Sequence, residues 1–114
     1  MAYLNTVRQN QEYVVPTQNI AAAGAIGLLS GGLVTIAGTG ALAVTLAAPA
    51  RNGVTLTIVA TAAQAHTVTY TTGFGAGGSS LDVATFGGAI GDSMTIVSAN
   101  GTWYIVNLLN VTIG

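Results

Sequence analysis

Short runs of β-branched and apolar residues, separated by glycine, asparagine and proline, make up this chain from residue 32 onward. Such runs between turn-forming residues are typical of strands. The predicted strands are 32–38, 41–47, 54–58, 66–71, 82–86, 93–99, 102–106 and 110–113. Strands at this near-regular spacing predict an all-β fold, a small antiparallel β-sandwich or barrel.

Alternation within these runs predicts which side chains share a face. Val54, Leu56 and Ile58 alternate with threonines, as do the residues of the run from His66 to Thr71. Because neighbouring strand residues point to opposite faces, one face of each strand is predicted to be apolar and the other polar but uncharged. His66 is in phase with the apolar set, which favours a packed histidine.

The clearest local signal is the last hairpin. Asn100-Gly101 lies between two β-rich runs and suits the positive φ angles of a type I′ turn. Trp103 and Tyr104 in the following strand must point to opposite faces. One of them is predicted to fill the core, and the other to cover a sheet edge or a subunit contact.

The N-terminal part has a different composition. We predict an extended N-terminal arm and apolar strap over residues 1–31 and a β domain over residues 32–114. Residues 1–19 are rich in amides, and Pro16 favours extended backbone around it. A helix over residues 21–29 is disfavoured by its glycines. Tyr3, Arg8 and Tyr13 are the best anchors for a partner, because tyrosine and arginine are favoured at interfaces.

Charge is scarce: the 114 residues include two arginines, three carboxylates and no lysine. Little charge repulsion opposes association, and few acids or bases are present for catalysis. The sequence therefore predicts a structural protein that is not an enzyme and uses no metal or cofactor. Two arginines are too few for nucleic-acid binding by phosphate neutralisation. A membrane span is also disfavoured, because glycines interrupt the apolar residues 20–50 and neither flank is basic.

Three candidate sites are weak on sequence grounds. Residues 73–78 formally match G-x-G-x-x-G, but a short β-rich run follows instead of a phosphate-binding helix. His66 with Asp82 or Asp92 could be read as catalytic, yet no nucleophile motif accompanies them. An exposed Trp103 beside Asp92 would suit a glycan-binding module.

Three segments carry a resemblance to a known family: Ala65-His-Thr-Val-Thr-Tyr-Thr-Thr-Gly-Phe74, Ala84-Thr-Phe-Gly-Gly-Ala-Ile-Gly-Asp-Ser-Met-Thr-Ile-Val97 and Asn100-Gly-Thr-Trp-Tyr-Ile-Val106. Over roughly residues 35–114 the chain resembles the capsid decoration (cement) proteins of tailed bacteriophages. The resemblance implies a structural virion protein, typically a homotrimer, that binds the major capsid protein on the outer surface of the capsid.

The arm is the predicted means of gripping the capsid, through Tyr3, Arg8, Tyr13, Val14 and Val15. An extended segment can add strands to neighbouring subunits by backbone hydrogen bonds, which need no charged side chains. The alternatives are a head or tail fibre segment, a glycan-binding β module and, least favoured, a small enzyme. Fibres usually show repeats, and the sequence shows no fixed period.

Overall fold

The computed structural model describes residues 15–76 and 81–114, and within them the chain forms ten strands and no α-helix. The strands are β1 (Thr17–Ile20), β2 (Gly24–Ala25), β3 (Gly32–Ile36), β4 (Ala43–Thr45), β5 (Thr55–Ala60), β6 (Thr67–Thr69), β7 (Val83–Phe86), β8 (Ser93–Ala99), β9 (Thr102–Leu109) and β10 (Val111–Ile113). A short 3₁₀ turn spans Phe74–Ala76. The predicted all-β sandwich is confirmed.

The strands form two five-stranded sheets packed as a compact sandwich. Sheet A has the order β1-β3-β5-β8-β9, and sheet B has the order β10-β7-β6-β4-β2. From β1 to β6 the chain passes alternately from one sheet to the other. Successive strands within each sheet are therefore parallel in this part, and β7 to β10 return antiparallel.

Both sheets are thus mixed, and the antiparallel pairing predicted from the sequence holds for the second half of the fold. In the first half, two of the four parallel strand pairs share one spacing, whereas paired residues are 16 apart for β1 and β3 and 20 apart for β2 and β4. Val34 pairs with Ile58 in sheet A and Val44 pairs with Val68 in sheet B, both 24 residues apart. The sequence did not show this spacing, because alternation of apolar and polar residues is the same in parallel and antiparallel strands with one buried face.

The core lies between the sheets and consists of the inward side chains that the alternation predicted. Leu56, Ile58 and Val68 are fully buried, and Tyr70 and Phe86 are the large rings beside them. Threonines occupy the opposite faces. In sheet B they align across three strands, since Thr85 pairs with both Thr67 and Thr112. The outer surface of the sandwich is therefore polar and uncharged at these positions.

Residues 17–31, within the predicted arm and strap, supply one edge strand to each sheet. β1 pairs with β3, and β2 pairs with β4. Ile20 and Ile26 are buried in the core. The side chain of Gln18 joins the two edges, because its Oε1 accepts from the amide of Gly27 at 2.7 Å. This segment is extended, and it is packed as part of the sandwich.

Two asparagines with positive φ set the turns of the last three strands. Asn100 (φ 53°) and Gly101 (φ 75°) form the predicted tight turn between β8 and β9. Asn110 (φ 56°) separates β9 from β10, so the last strand begins at Val111 and not at residue 110. Asparagine tolerates this left-handed conformation better than other non-glycine residues.

Candidate functional site

A cleft of about 690 Å³ lies on sheet A where the described chain begins. Its floor is formed by Leu33, Thr55 and Thr57, which point outward from β3 and β5. Val15 and Pro16 form one side, and Arg51 lies on the loop before β5 at another. The described lining of the cleft is therefore mostly apolar, and Arg51 is its one charged residue.

Close backbone packing builds the side of the cleft at Pro16. The amide of Leu33 donates to the carbonyl oxygen of Pro16 at 2.8 Å. Gly31 and Gly32 have φ angles of 99° and 138°, a region that other residues rarely adopt. A Cβ at Gly32 would lie 2.3 Å from that same Pro16 oxygen. Glycine at this position thus allows Pro16 and β1 to approach β3 closely.

The loop carrying Arg51 is held in place by a buried serine. Ser98 is only 2% exposed, and its hydroxyl donates to the carbonyl oxygen of Arg51 at 2.7 Å and accepts from the amide of Val54 at 3.0 Å. The side chain of Asn52 accepts from the amide of Gly101 at 2.9 Å. These bonds attach the loop backbone to β8 and the following turn, so they fix the point from which the exposed Arg51 side chain extends.

Of the five residues predicted to contact a capsid, the structure describes one. Val15 is 40% exposed and lines the cleft. Tyr3, Arg8, Tyr13 and Val14 lie outside the described residues. Sequence reasoning missed the cleft itself, because it forms only when β1, β3 and β5 lie side by side. The sequence feature that could have pointed to the cleft is Arg51, the one charged residue between Glu12 and Asp82.

A second surface is the β9 edge of sheet A, where no further strand pairs within the described residues and the 3₁₀ turn Phe74–Ala76 packs against β9. β9 is the outermost strand there, and neither it nor β8 contains a charged residue. Ile105, Val106 and Leu109 are 37%, 61% and 57% exposed. Val106 is an extra residue in β9, since Thr95 pairs with Asn107 and Ile96 with Ile105. A long uncharged edge strand with exposed apolar side chains is a surface suited to association.

Asp92 fastens the chain beside this edge. Its carboxylate accepts from the amide of Ala89 at 2.8 Å and from Nδ2 of Asn110 at 3.0 Å. The backbone hydrogen bond from Ala89, with help from Asn110, lowers the pKa of Asp92. The bonds bring the turn containing Ile90, which is 71% exposed, next to the end of β9. Ile90 therefore extends the apolar surface of the edge.

The glycan-site reading of Trp103 is wrong. The indole is fully buried in the core, and its Nε1 donates to the carbonyl oxygen of Ala47 at 2.9 Å. Tyr104 points to the opposite face and is half-buried, as the alternation predicted. A ring that stacks on a sugar must be exposed, so Trp103 and Asp92 do not form a glycan site.

The structure does not join His66 to either aspartate. His66 is fully buried on the inner face of sheet B, as predicted for a packed histidine. Its Nδ1 accepts from the amide of Leu42 at 3.0 Å, so the proton of the neutral ring is on Nε2. Asp92 is occupied by Ala89 and Asn110. Within residues 15–76 and 81–114, no three His, Asp or Glu side chains are grouped as metal ligands.

Burial lowers the pKa of His66 below its usual value near 6.5, because a charged imidazolium would be desolvated. Protonation of Nδ1 would also break the bond from Leu42. The unfolded chain takes up this proton near pH 6.5, and the folded chain does so only at lower pH. We therefore expect the free energy of unfolding to fall as pH drops below about 6.5, by at most about 1.4 kcal/mol per pH unit.

Urea unfolding between pH 7.5 and 5 measures this slope. His66→Gln is the control, because glutamine can accept from Leu42 but does not titrate. The variant should show a flatter profile over this range, whatever its absolute stability. Asp92, whose pKa is lowered, contributes a separate loss only at more acidic pH. An equal slope in wild type and His66→Gln would contradict the assignment.

The glycine motif at 73–78 is only partly described. Gly73 and Gly75 have positive φ, and Phe74 is buried against Tyr70 with ring centroids 5.4 Å apart. Residues 77 and 78 lie outside the described residues. The described chain resumes at Leu81 and enters strand β7, so no phosphate-binding helix follows in residues 81–114. The described part of the motif is a turn that packs on the core.

Comparison with known proteins adds no relative: no protein-family model matches this chain, and no curated protein matches it. In the part of the chain that the structure describes, no helix is long and apolar enough to cross a membrane.

Proposed function

We propose that this chain is a capsid decoration (cement) protein, a structural virion protein that binds the major capsid protein on the outer surface of a tailed-bacteriophage head. The observation that carries the proposal is the almost uncharged surface of the sandwich, which the amide-rich residues 1–14 precede in the chain. Arg51, Asp82 and Asp92 are the charged side chains of the described residues, and Asp92 is buried. Such a surface favours lasting contact with other protein.

The proposed protein is a homotrimer. The exposed apolar edge at β9 supports self-association, because its side chains lose contact with water when copies pack together. Residues 1–14 directly precede Val15, Pro16 and β1, and β1 is the edge strand of sheet A opposite to β9. The subunit contact and the capsid contact can therefore occupy separate surfaces of one sheet. Three segments on one trimer would strengthen capsid binding through their effective concentration.

Deletion of residues 1–14 should abolish capsid binding and leave a folded oligomer. The deletion must stop before Thr17, because β1 is part of sheet A and its loss would expose Ile20. The assay is co-sedimentation with undecorated capsids of the phage that encodes the chain. A chain with residues 1–14 replaced by a glycine-serine segment of equal length is the matched control.

Light scattering during size exclusion tests the oligomer in parallel. We expect a mass of three times 11.3 kDa for the full chain, and three times its own smaller monomer mass for the deletion variant. Unchanged capsid occupancy by the deletion variant would overturn the role of the arm. A monomer at all concentrations would overturn the preassembled trimer.

A head or tail fibre segment is the second candidate, and the parallel passes from β1 to β6 favour it. Chains that wind repeatedly between two sheets can extend into long solenoids. In this chain the alternation between sheets stops after β6, when each sheet has three parallel strands. Strands β7 to β10 then pair antiparallel. A fibre segment would add copies along one axis, so it predicts an open series of masses in the same light-scattering measurement.

A further inference from the structure

The first two described residues of the chain, Val15 and Pro16, line the cleft on sheet A. Val15 and Pro16 form its side, so the residue before Val15 is attached at the cleft. Six residues in extended conformation span up to about 20 Å, enough to cross several strands spaced about 4.8 Å apart. The segment 9–14, outside the described residues, can therefore reach every part of the cleft without leaving its own subunit.

Segment 9–14 and the cleft carry opposite charges. Glu12 is the only carboxylate among residues 1–14, and Arg51 is the only cation among the described residues that line the cleft. Glu12 precedes Val15 by three residues, within about 10 Å of chain. The other described carboxylates lie elsewhere: Asp82 precedes β7 in sheet B, and Asp92 lies at the opposite end of β8 from Ser98.

The residues that line the cleft suit the binding of an extended peptide segment. Its floor combines the apolar Leu33 with the hydroxyls of Thr55 and Thr57, which can bond to a peptide backbone. Ser98 holds the backbone of the loop that carries Arg51, so this loop needs little ordering on binding. A covalently attached segment further gains from a high effective concentration.

We propose that this cleft is the docking site of residues 9–14 of the same chain, with the Glu12 carboxylate paired to the Arg51 guanidinium. Residues 1–8, with Tyr3 and Arg8, are not part of the proposed docked segment and stay available to a partner. The inference concerns the free protein and does not require the capsid.

Trypsin provides a direct assay, because the chain contains no lysine and only two arginines. A protease needs several residues around the cut bond in extended, accessible form, so docking of residues 9–14 protects the Arg8–Gln9 bond. Arg51→Gln and Glu12→Gln should each increase the cleavage rate at Arg8 roughly two- to fivefold, the range expected for a partly exposed ion pair. The double variant should be no faster than either single variant, since both remove the same pair.

Two further variants sharpen the test. Asp82→Asn changes net charge as Glu12→Gln does, and it should leave the cleavage rate unchanged. Thr57→Glu places a carboxylate on the floor of the cleft and should raise the rate through repulsion of Glu12. Circular dichroism of each variant confirms that the sandwich is folded.

Protection that is independent of protein concentration supports docking within one chain. Protection that is lost on dilution would show exchange of the segment between copies and overturn the proposal. Additive effects of Glu12→Gln and Arg51→Gln, or no effect of either, would also overturn it. None of these measurements involves the capsid, so their failure leaves the proposed function to its own test.

Discussion

Trp103→Ala is expected to lower the free energy of unfolding by about 3–5 kcal/mol. The indole is fully buried between the sheets, and truncation leaves a large cavity as well as losing the transfer free energy of the ring. It also removes the bond from Nε1 to the carbonyl oxygen of Ala47. Urea denaturation followed by circular dichroism measures the loss, since the variant lacks the single tryptophan as a fluorescent probe.

Two controls separate the causes. Trp103→Phe keeps much of the ring volume and loses the hydrogen bond, so we expect a loss of about 1–2 kcal/mol. Tyr104→Ala removes a half-buried ring from the opposite face of the same strand and should cost less than Trp103→Ala. A larger loss for Tyr104→Ala would mean that the assignment of the inner face of β9 is wrong.

Gly32→Ala is expected to cost about 3 kcal/mol or more, through two effects. Its φ of 138° is unfavourable for alanine, and the new Cβ would lie 2.3 Å from the carbonyl oxygen of Pro16. Backbone cannot move aside as a flexible side chain does. β1 must therefore shift and weaken the bond between Leu33 and Pro16. Thermal and urea unfolding measure the total loss, and hydrogen exchange at Leu33 reports the local opening.

Other glycines supply matched controls for this substitution. Gly88→Ala has a positive φ of 101° but no atom within 4 Å of the new Cβ, so it carries the conformational cost alone, about 1–2 kcal/mol. Gly40→Ala meets neither obstacle and should lie within about 0.5 kcal/mol of wild type. Equal losses for Gly32→Ala and Gly88→Ala would show that contact with Pro16 contributes nothing.

The parts of the fold that depend on local sequence were predictable. Asn100-Gly101 specifies its turn through the φ angles that these residues tolerate, and the hairpin of β8 and β9 follows from it. Alternation placed His66 and Tyr70 inward and the threonines outward, because side chains in a strand alternate by geometry alone. The burial of Trp103 in place of Tyr104 could not be chosen in advance, since both faces of that strand offer an aromatic ring.

The candidate site was predictable only at its beginning. Val15 and the anchors before it were identified from composition, whereas Arg51 entered the site through the tertiary structure. Residues 16, 33, 51 and 57 are distant in sequence and meet because β1, β3 and β5 pair in parallel. The β9 edge is a similar case. The pattern of Ile105 and Val106 reads as a core strand, and only the sheet order shows that no described strand covers it.

The amino-acid sequence by itself determined the all-β class, the two faces of each strand and the tight turn at Asn100, since each depends on residues within a few positions of one another. The low charge that favours association is likewise a property of composition. The tertiary structure alone decided the parallel pairing of the first six strands, the cleft at Pro16 and the exposed edge at β9. Pairing partners and free edges depend on contacts between distant segments, and alternation within one strand carries no information about which strand lies beside it.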